Sequence, residues 1–189
     1  MSGSVYEEGV HEKPLRNCIA VLVNDEPGIL ARVVGLFSGR GYNIESLTVD
    51  VVDKEQQLSR ITIVTNGEPM IIQQIEAQLG RLVPVRRVMN LTTQGASVEG
   101  SLAYIKLVAK PSDREEAKLI ARKLGARIVD TKGDAVIFEL TASTGHIDQM
   151  INELRPLGPV EIARTGSVAM ACGENMLELS SSLVERKTA

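Results

Sequence analysis

The sequence is poor in the residues on which most catalytic and metal sites depend. Its 189 residues include no Trp, two Cys and two His. Neither His11 nor His146 has a Ser or Cys partner by sequence, so we expect solvent-exposed histidines rather than a nucleophilic centre. No Cys/His cluster has the spacing of a zinc site. Cys18 lies in an apolar stretch and Cys172 is far from it, so we expect a buried thiol and no disulfide framework, as in a reducing cytoplasm.

Long apolar runs and an excess of positive charge are also missing. No run is long enough to cross a bilayer, and the first residues lack the charged-then-apolar order of a signal peptide. We therefore predict a cytoplasmic protein with no membrane partner, whose polar residues 1–16 are disordered. The formal net charge of −3 argues against nucleic acid, and the predicted strands offer only Tyr104 and Phe138 as a surface for stacking bases.

Hydrophobic periodicity predicts six elements in residues 17–91. They are a strand at 17–24, a helix from 29, a strand opening at Asn43, a strand at 58–65, a helix from Pro69 with an apolar face to Leu82, and a strand at 83–91. The apolar stripe of the first helix consists of Ile29, Leu30, Val33, Val34, Leu36 and Phe37. The order β-α-β-β-α-β is that of a ferredoxin-like domain, with two helices on one face of an antiparallel sheet. Since so small a domain is marginal alone and leaves one face open, we expect a homodimer.

The same order of elements is predicted again in residues 101–166, after a small, polar linker at 92–100. The predicted fold is therefore α+β, with two ferredoxin-like βαββαβ domains. Ser112 and Glu115 are predicted to form a capping box for the first helix of the second domain, and Ser143 or Thr144 is predicted to cap its second helix. No Pro-Gly turn precedes the former helix, in contrast to the first helix of the first domain. Residues 167–189 are predicted to be a tail, with a weak helical face at 174–187.

The best candidate for a binding site is the turn DEPG at residues 25–28. Pro27 presets φ and Gly28 supplies conformational freedom before a helix, whose first amides have no internal partner and carry partial positive charge. The predicted carboxylate donors are the amides of Gly28, Ile29 and Leu30. The side chain of either Asp25 or Asn43 would take the ammonium group of the same ligand. On the local pattern alone, such residues more often only start a helix and cap a turn.

These residues also resemble a known family. The pattern Asp25-x-Pro27-Gly28-x-Leu30 resembles the signature of ACT domains, which bind amino acids and regulate metabolic enzymes. The longer runs GLFS at 35–38 and RGYNIESLTV at 40–49 resemble the regulatory (small) subunit of acetolactate synthase, also called acetohydroxyacid synthase. LSRITIV at 58–64 and ARTGSVAM at 163–170 are similar to the same family. The resemblance runs through nearly the whole chain.

The resemblance implies a non-catalytic regulatory subunit. Its partner would be the catalytic (large) subunit, which uses thiamine diphosphate, magnesium and FAD, and no cofactor is expected on this chain. That enzyme condenses pyruvate to 2-acetolactate, or pyruvate with 2-oxobutyrate, at the first common step towards valine, leucine and isoleucine. The small subunit raises the activity and confers feedback inhibition, typically by valine. The expected valine site lies between two copies of residues 17–91, the ACT domain, and consists of Asp25, Gly28, Ile29, Leu30, Asn43 and Ile44.

Two alternatives stay open at this point. The N-terminal motif alone would also suit a free-standing ACT-domain sensor that regulates another enzyme or a transporter. An enzyme in its own right is the weaker alternative, because the sequence offers no reactive constellation. One departure concerns the site itself: the family often has Asn where this chain has Asp25, and an ionised Asp cannot donate a hydrogen bond.

Overall fold

The chain folds into two compact units. The structure is a computed structural model that describes residues 15–177. Of these, the first unit contains 15–45, 49–94 and 176–177, and the second contains 46–48 and 95–175. The two antiparallel sheets and their four helices confirm the predicted α+β fold.

Six elements build the first sheet and its helices. They are β1 (Leu15–Asn24), α1 (Ile29–Ser38), β2 (Ser46–Asp53), β3 (Leu58–Gly67), α2 (Pro69–Leu79) and β4 (Val85–Asn90). The strand order is β2-β3-β1-β4, with β1 between its antiparallel partners β3 and β4. This is the predicted ferredoxin-like order, in which β2 is an edge strand. The strand predicted to open at Asn43 begins at Ser46, and α2 ends before Leu82.

The core of the first unit is formed by alternate residues of the central strands and by one side of each helix. Ile19 pairs with Ile63 and Val21 with Ile61, and all four side chains are fully buried. The helices contribute the buried residues Ile29, Val33, Leu36, Phe37, Ile72, Ile75 and Leu79. The stripe predicted for α1 is too wide, because its members Leu30 and Val34 are 39% and 36% exposed. These two side chains are therefore available at the surface.

The second unit repeats this architecture and adds one strand. Its elements are β5 (Ser97–Val108), α3 (Pro111–Lys123), β6 (Arg127–Asp130), β7 (Ala135–Ala142), α4 (Thr144–Leu154), a 3-10 turn (Arg155–Leu157), β8 (Val160–Arg164) and β9 (Val168–Ala171). The sheet order is β6-β7-β5-β8, and β9 pairs with β5 outside this path. Ala103, Ile105 and Leu107 of β5 face the two helices in the core, together with the buried Phe138.

Strand β5 shows that two predicted boundaries, those of the linker and of the tail, are wrong. Residues 97–100, predicted as part of a linker, pair with 168–171, predicted as part of a tail, to form a two-stranded ribbon. Small and polar residues in 92–100 hid this strand, because its partner is about 70 residues away in sequence. The predicted disorder at 1–16 is wrong for Leu15 and Arg16, which lie in β1, and otherwise falls outside the described residues. The helix predicted at 174–187 is absent from its described part, residues 174–177.

Of the two helix caps predicted in the second unit, one is wrong and the other is confirmed. The capping box of Ser112 and Glu115 is wrong: α3 begins at Pro111, Lys110 is the N-cap residue, and no side chain caps the helix. Proline at the first helical position has no N–H group, so there is one donor fewer for a cap to satisfy. The Ser143 prediction is confirmed, since its Oγ accepts a hydrogen bond from the amide of His146 at 3.4 Å.

Candidate effector site

The turn before α1 is fixed by backbone hydrogen bonds. The amide of Asp25 donates to the carbonyl of Gln57 at 2.6 Å, and the amide of Glu26 donates to the carbonyl of Asn24 at 3.0 Å. Gly28 has φ +85°, in the left-handed region that side chains other than glycine's rarely adopt. A Cβ on Gly28 would meet no atom within 4 Å, so the space in front of it is open. The turn thus leaves the start of α1 exposed to solvent.

The first amides of α1 provide the donors of the candidate site. The prediction that Ile29 is one of these donors is wrong, because its amide donates to the carbonyl of Glu26 at 3.3 Å. Within residues 15–177, the structure gives no acceptor for the amides of Gly28, Leu30 and Ala31. Ala31 was missed from the sequence, although it lies in the same unsatisfied first turn. Three free N–H groups at the positive end of a helix dipole suit a carboxylate.

The surroundings of these amides combine charge and apolar surface. Asp25 is exposed, and its carboxylate group sits at the start of the turn. Glu26 is paired with Arg32, whose Nη1 lies 3.1 Å from Oε1. Leu30 is 39% exposed beside the free amides, whereas the Ile29 side chain is buried in the core. Leu30 is therefore the apolar side chain of this turn that a ligand can touch.

The predicted partners Asn43 and Ile44 lie in the segment that leads into β2. The hydroxyl of Thr65 donates to the carbonyl of Asn43 at 2.6 Å, and the amide of Glu45 donates to the carbonyl of Val64 at 2.8 Å. These bonds attach the segment to the end of β3. The side chain of Asn43 is exposed and that of Ile44 is half-buried, so both are available for a contact outside the domain.

The structure separates the two groups of predicted site residues within one chain. Asp25 is bonded to Gln57, next to Leu58 at the start of β3, whereas Asn43 is bonded to Thr65 near its end. Seven residues of strand between Leu58 and Thr65 correspond to about 23 Å. A small amino acid cannot bridge that distance. In one chain Asp25 can therefore share a ligand with the free amides of α1, but Asn43 and Ile44 cannot.

The other side chains that could form a chemical site are the metal ligands, the histidine and the cysteines of residues 15–177. No group of three or more His, Cys, Asp or Glu in residues 15–177 is placed to hold a metal ion. His146 is half-buried rather than exposed as predicted, with Nε2 3.0 Å from the carbonyl oxygen of Leu124. Cys18 is buried as predicted, and neither it nor the exposed Cys172 forms a disulfide. No helix in this part of the chain has the length and apolarity to span a membrane.

Comparison with known proteins identifies the family. A model described as an AHAS small subunit-like ACT domain matches residues 19–87, and one described as the small subunit of acetolactate synthase matches 101–173. The probable acetolactate synthase small subunit of Archaeoglobus fulgidus is 42% identical over 159 residues, 84% of this chain and 98% of that protein. The isozyme 3 small subunit of Escherichia coli K12 is 39% identical over 164 residues, 86% and 99% of the two chains.

A solved structure agrees with these relatives. The acetolactate synthase small subunit of Thermotoga maritima aligns with a TM-score of 0.73 and 33% identity, over 82% of this chain and 96% of that one. The match extends across both ferredoxin-like units, of which the first is an ACT domain. The chain belongs to the acetolactate synthase small-subunit family.

Proposed function

We propose that this chain binds valine between two copies of its ACT domain and thereby confers feedback inhibition on the catalytic subunit of acetolactate synthase, whose activity it raises. The observation that carries the proposal is the separation of the two half-sites along β3. Free amides lie at one end of the strand, and the exposed side chain of Asn43 lies at the other. A second copy is needed to bring them together. In this proposal, thiamine diphosphate, magnesium and FAD belong to the catalytic partner.

The edge strand β2 supports a specific way for two copies to pair. In its part within the first unit, Val49, Val51 and Val52 are 41%, 40% and 36% exposed. Apolar side chains on an unpaired edge favour pairing with another strand. A two-fold axis makes two β2 strands antiparallel, so the start of one lies beside the end of the other. Because β2 ends near the start of α1, this pairing places Asn43 of one copy close to the α1 amides of its partner.

The ligand contacts follow from the chemistry of the two halves. The valine carboxylate accepts hydrogen bonds from the amides of Gly28, Leu30 and Ala31. The ammonium donates to the side-chain oxygen of Asn43 from the other copy, or to Asp25. The isopropyl group packs on Leu30 and on Ile44 of the other copy. A ligand held by both copies favours one dimer arrangement by its differential affinity, and the catalytic subunit senses that arrangement.

Calorimetry of the full chain tests the binding step. Valine, leucine and isoleucine are titrated, with serine as the control ligand. Gly28→Asp places a carboxylate against the ligand's own, so we expect valine binding to be lost. Gly125→Asp is the matched control, since Gly125 has a similar φ of +75° and a Cβ there also meets nothing within 4 Å. Unchanged valine affinity in Gly28→Asp would exclude this site.

Activity assays with the purified catalytic subunit test the regulatory step. Adding this chain should raise the rate of acetolactate formation, and valine should then lower it. Gly28→Asp should still raise the rate but make it insensitive to valine, because the substitution lies at the effector site. A chain that binds valine without changing the enzyme's rate would instead support the free-standing sensor.

A further inference from the structure

The start of strand β2 belongs to the second unit rather than to the first. Residues 46–48 lie in the second unit, whereas 49–53, the rest of the strand, lie in the first. Within the second unit, 46–48 contact the segment between β8 and β9. The amide of Ser167 donates to Ser46 Oγ at 2.8 Å, and the hydroxyl of Thr48 donates to the carbonyl of Ser167 at 3.0 Å. Both backbone groups of Ser167 are therefore bonded to side chains of β2.

The two bonding side chains share one face of the strand. Ser46 and Thr48 are two residues apart, and alternate residues of a strand point to the same side. Gly166 packs so closely against this face that no side chain fits there. A Cβ on Gly166 would lie 2.6 Å from Ser46 Oγ and 2.9 Å from Thr48 Cγ2, both shorter than van der Waals contact. We call Ser46, Thr48, Gly166 and Ser167 the clamp.

The segment that contains Gly166 and Ser167 is fixed to the second sheet. The amide of Thr165 donates to the carbonyl of Leu102 at 2.9 Å, and the amide of Leu102 donates to Thr165 Oγ1 at 3.1 Å. The hydroxyl oxygens of Ser167 and Ser101 lie 3.4 Å apart, and both residues are buried. Residues 165–167 are therefore held by β5, so the clamp joins β2 to the core strand of the second sheet.

Half of the candidate effector site lies directly before the clamp in the chain. Asn43 and Ile44 are separated from Ser46 by Glu45 alone, and the amide of Glu45 is bonded to the carbonyl of Val64 at 2.8 Å. Three residues of chain span at most about 11 Å, and planar peptide bonds leave few ways to bend so short a segment. A ligand that fixes Asn43 and Ile44 therefore also restricts Ser46.

We propose that the clamp couples the valine half-site at Asn43 and Ile44 to the second domain. This inference rests on the proposed valine site. Bound valine holds the start of β2 against residues 165–167, and the second domain thereby contributes to the response of the catalytic subunit. Because coupling is reciprocal, opening the clamp weakens valine binding by no more than the coupling factor, typically about 5–150-fold. Saturating valine then still binds, but its effect on the enzyme is lost.

Amide hydrogen exchange of the full chain tests the coupling at the clamp itself. Ligand binding lowers the population of any opening that breaks the ligand's site, by about 100-fold at a concentration of 100 Kd. Valine at this concentration should therefore slow exchange of the Ser167 amide by up to about 100-fold. The amide of Ala126, next to the opposite edge strand β6, is the internal control and should be unchanged. No slowing at Ser167, or equal slowing at both amides, overturns the proposal.

Activity assays with the catalytic subunit test the regulatory consequence. Gly166→Ala places a Cβ against Ser46 and Thr48, so it forces the clamp apart. The variant should still raise the rate of acetolactate formation, but saturating valine should no longer lower that rate. Gly145→Ala is the matched control and should keep full inhibition, since a Cβ on Gly145 meets nothing within 4 Å. Full inhibition by valine in Gly166→Ala contradicts the proposal.

A milder variant decides the matter if Gly166→Ala fails to activate the enzyme. Thr48→Val keeps the shape of the side chain and removes only the donor to Ser167, so it should reduce the inhibition by saturating valine. Thr141→Val, at an exposed position of β7, is its control. Calorimetry separates the two proposals. No valine binding by the unchanged chain contradicts the valine site and this inference with it, whereas valine binding with unaltered inhibition in Thr48→Val contradicts the coupling alone.

Discussion

The amide of Asp25 donates a 2.6 Å hydrogen bond to the carbonyl of Gln57, joining the turn before α1 to the hairpin between β2 and β3. Among residues 15–177, Gln57 is the one non-glycine residue with positive φ, at +53°. The hairpin therefore stores backbone strain at the residue that positions the candidate effector turn. Strain of this kind costs of the order of 1 kcal/mol for a residue with a Cβ.

Substitution at Gln57 should change stability according to the residue's tolerance of left-handed backbone. Gln57→Gly should raise the free energy of unfolding by about 0.5–1 kcal/mol, whereas the β-branched Gln57→Val should lower it by about 1 kcal/mol or more. Urea denaturation of the full chain measures both. Equal stability of the two variants would show that the strain is absent. Gln57→Val should also weaken valine binding, because it disturbs the carbonyl that holds Asp25.

Mixed dimers should regain valine binding that neither parent shows. Dimers of Gly28→Asp lose the donor half of both sites, and dimers of Asn43→Ala lose the hydrogen bond of the other half, which costs about 1.5–3 kcal/mol for a charged ligand. A mixed dimer contains one intact site, made from Gly28 of one chain and Asn43 of the other. Calorimetry should find one valine site for each mixed dimer. If both residues acted within one chain, mixing would restore nothing.

The edge of the first sheet should control self-association. Val51→Glu places two carboxylates near the proposed two-fold axis, where like charges on paired strands are destabilising. We expect the dissociation constant of the dimer to rise about tenfold or more. Sedimentation equilibrium measures the constant, and circular dichroism checks that the fold is intact. Val83→Glu is the control, since Val83 is 93% exposed and lies away from β2. The same shift in both variants would argue against the β2 edge.

The buried Asn90 should contribute strongly to the stability of the first unit. It is fully buried, and its Nδ2 donates to Glu76 Oε1 at 2.7 Å and to Asn17 Oδ1 at 3.1 Å. Asn90→Ala leaves both acceptors without this donor, and we expect a loss of about 2–3 kcal/mol in unfolding free energy. Asn152→Ala, at an exposed helix position, should change it by less than about 0.5 kcal/mol. Chemical denaturation compares the two, and equal losses would refute a structural role for this network.

Acid should destabilise the protein partly through Glu139. The hydrogen bond from Arg127, followed by that from Tyr104, lowers the pKa of Glu139 below its ordinary value of 4.5. A lowered pKa in the folded state stabilises the protein above the unfolded pKa, and this contribution is lost as the pH falls through the folded pKa. Glu139→Gln should therefore reduce the fall in Tm between about pH 7 and pH 3. The same fall in Tm in Glu139→Gln and in the unchanged chain would contradict this contribution.

The elements that follow from strong local patterns could be predicted from the sequence, whereas strand pairing between distant residues could not. The apolar run of β1 and the helical spacing of Ile147, Met150, Ile151 and Leu154 in α4 depend only on nearby residues. Residues 97–100 show no such pattern, because a strand of small and polar residues becomes recognisable only with its partner β9. The Ser112 cap failed for a local reason, since Pro111 begins the helix one residue earlier.

The candidate site was predicted as a set of residues but not as an arrangement. The turn at Gly28 and the free first amides follow from local chemistry. Whether Asn43 reaches the same ligand depends on strand direction: a helix that follows β1 returns the chain to the opposite end of the sheet. The β-α-β order already contains this information, but the spacing of the motif does not. Ile29 failed as a donor because its amide closes the turn onto Glu26.

Strand β5 is twelve residues long, and its neighbours change along its length. Residues 101–108 pair with β7, and residues 103–107 pair with β8 as well, whereas residues 97–100 pair with β9. A two-stranded ribbon is marginal in water, so it opens at a lower free energy than the sheet it extends. Amide hydrogen exchange should consequently reveal a gradient of protection along this single strand. The amides of residues 97–100 would exchange through local fraying, whereas the amides beside Phe138 would exchange only when the whole domain opens.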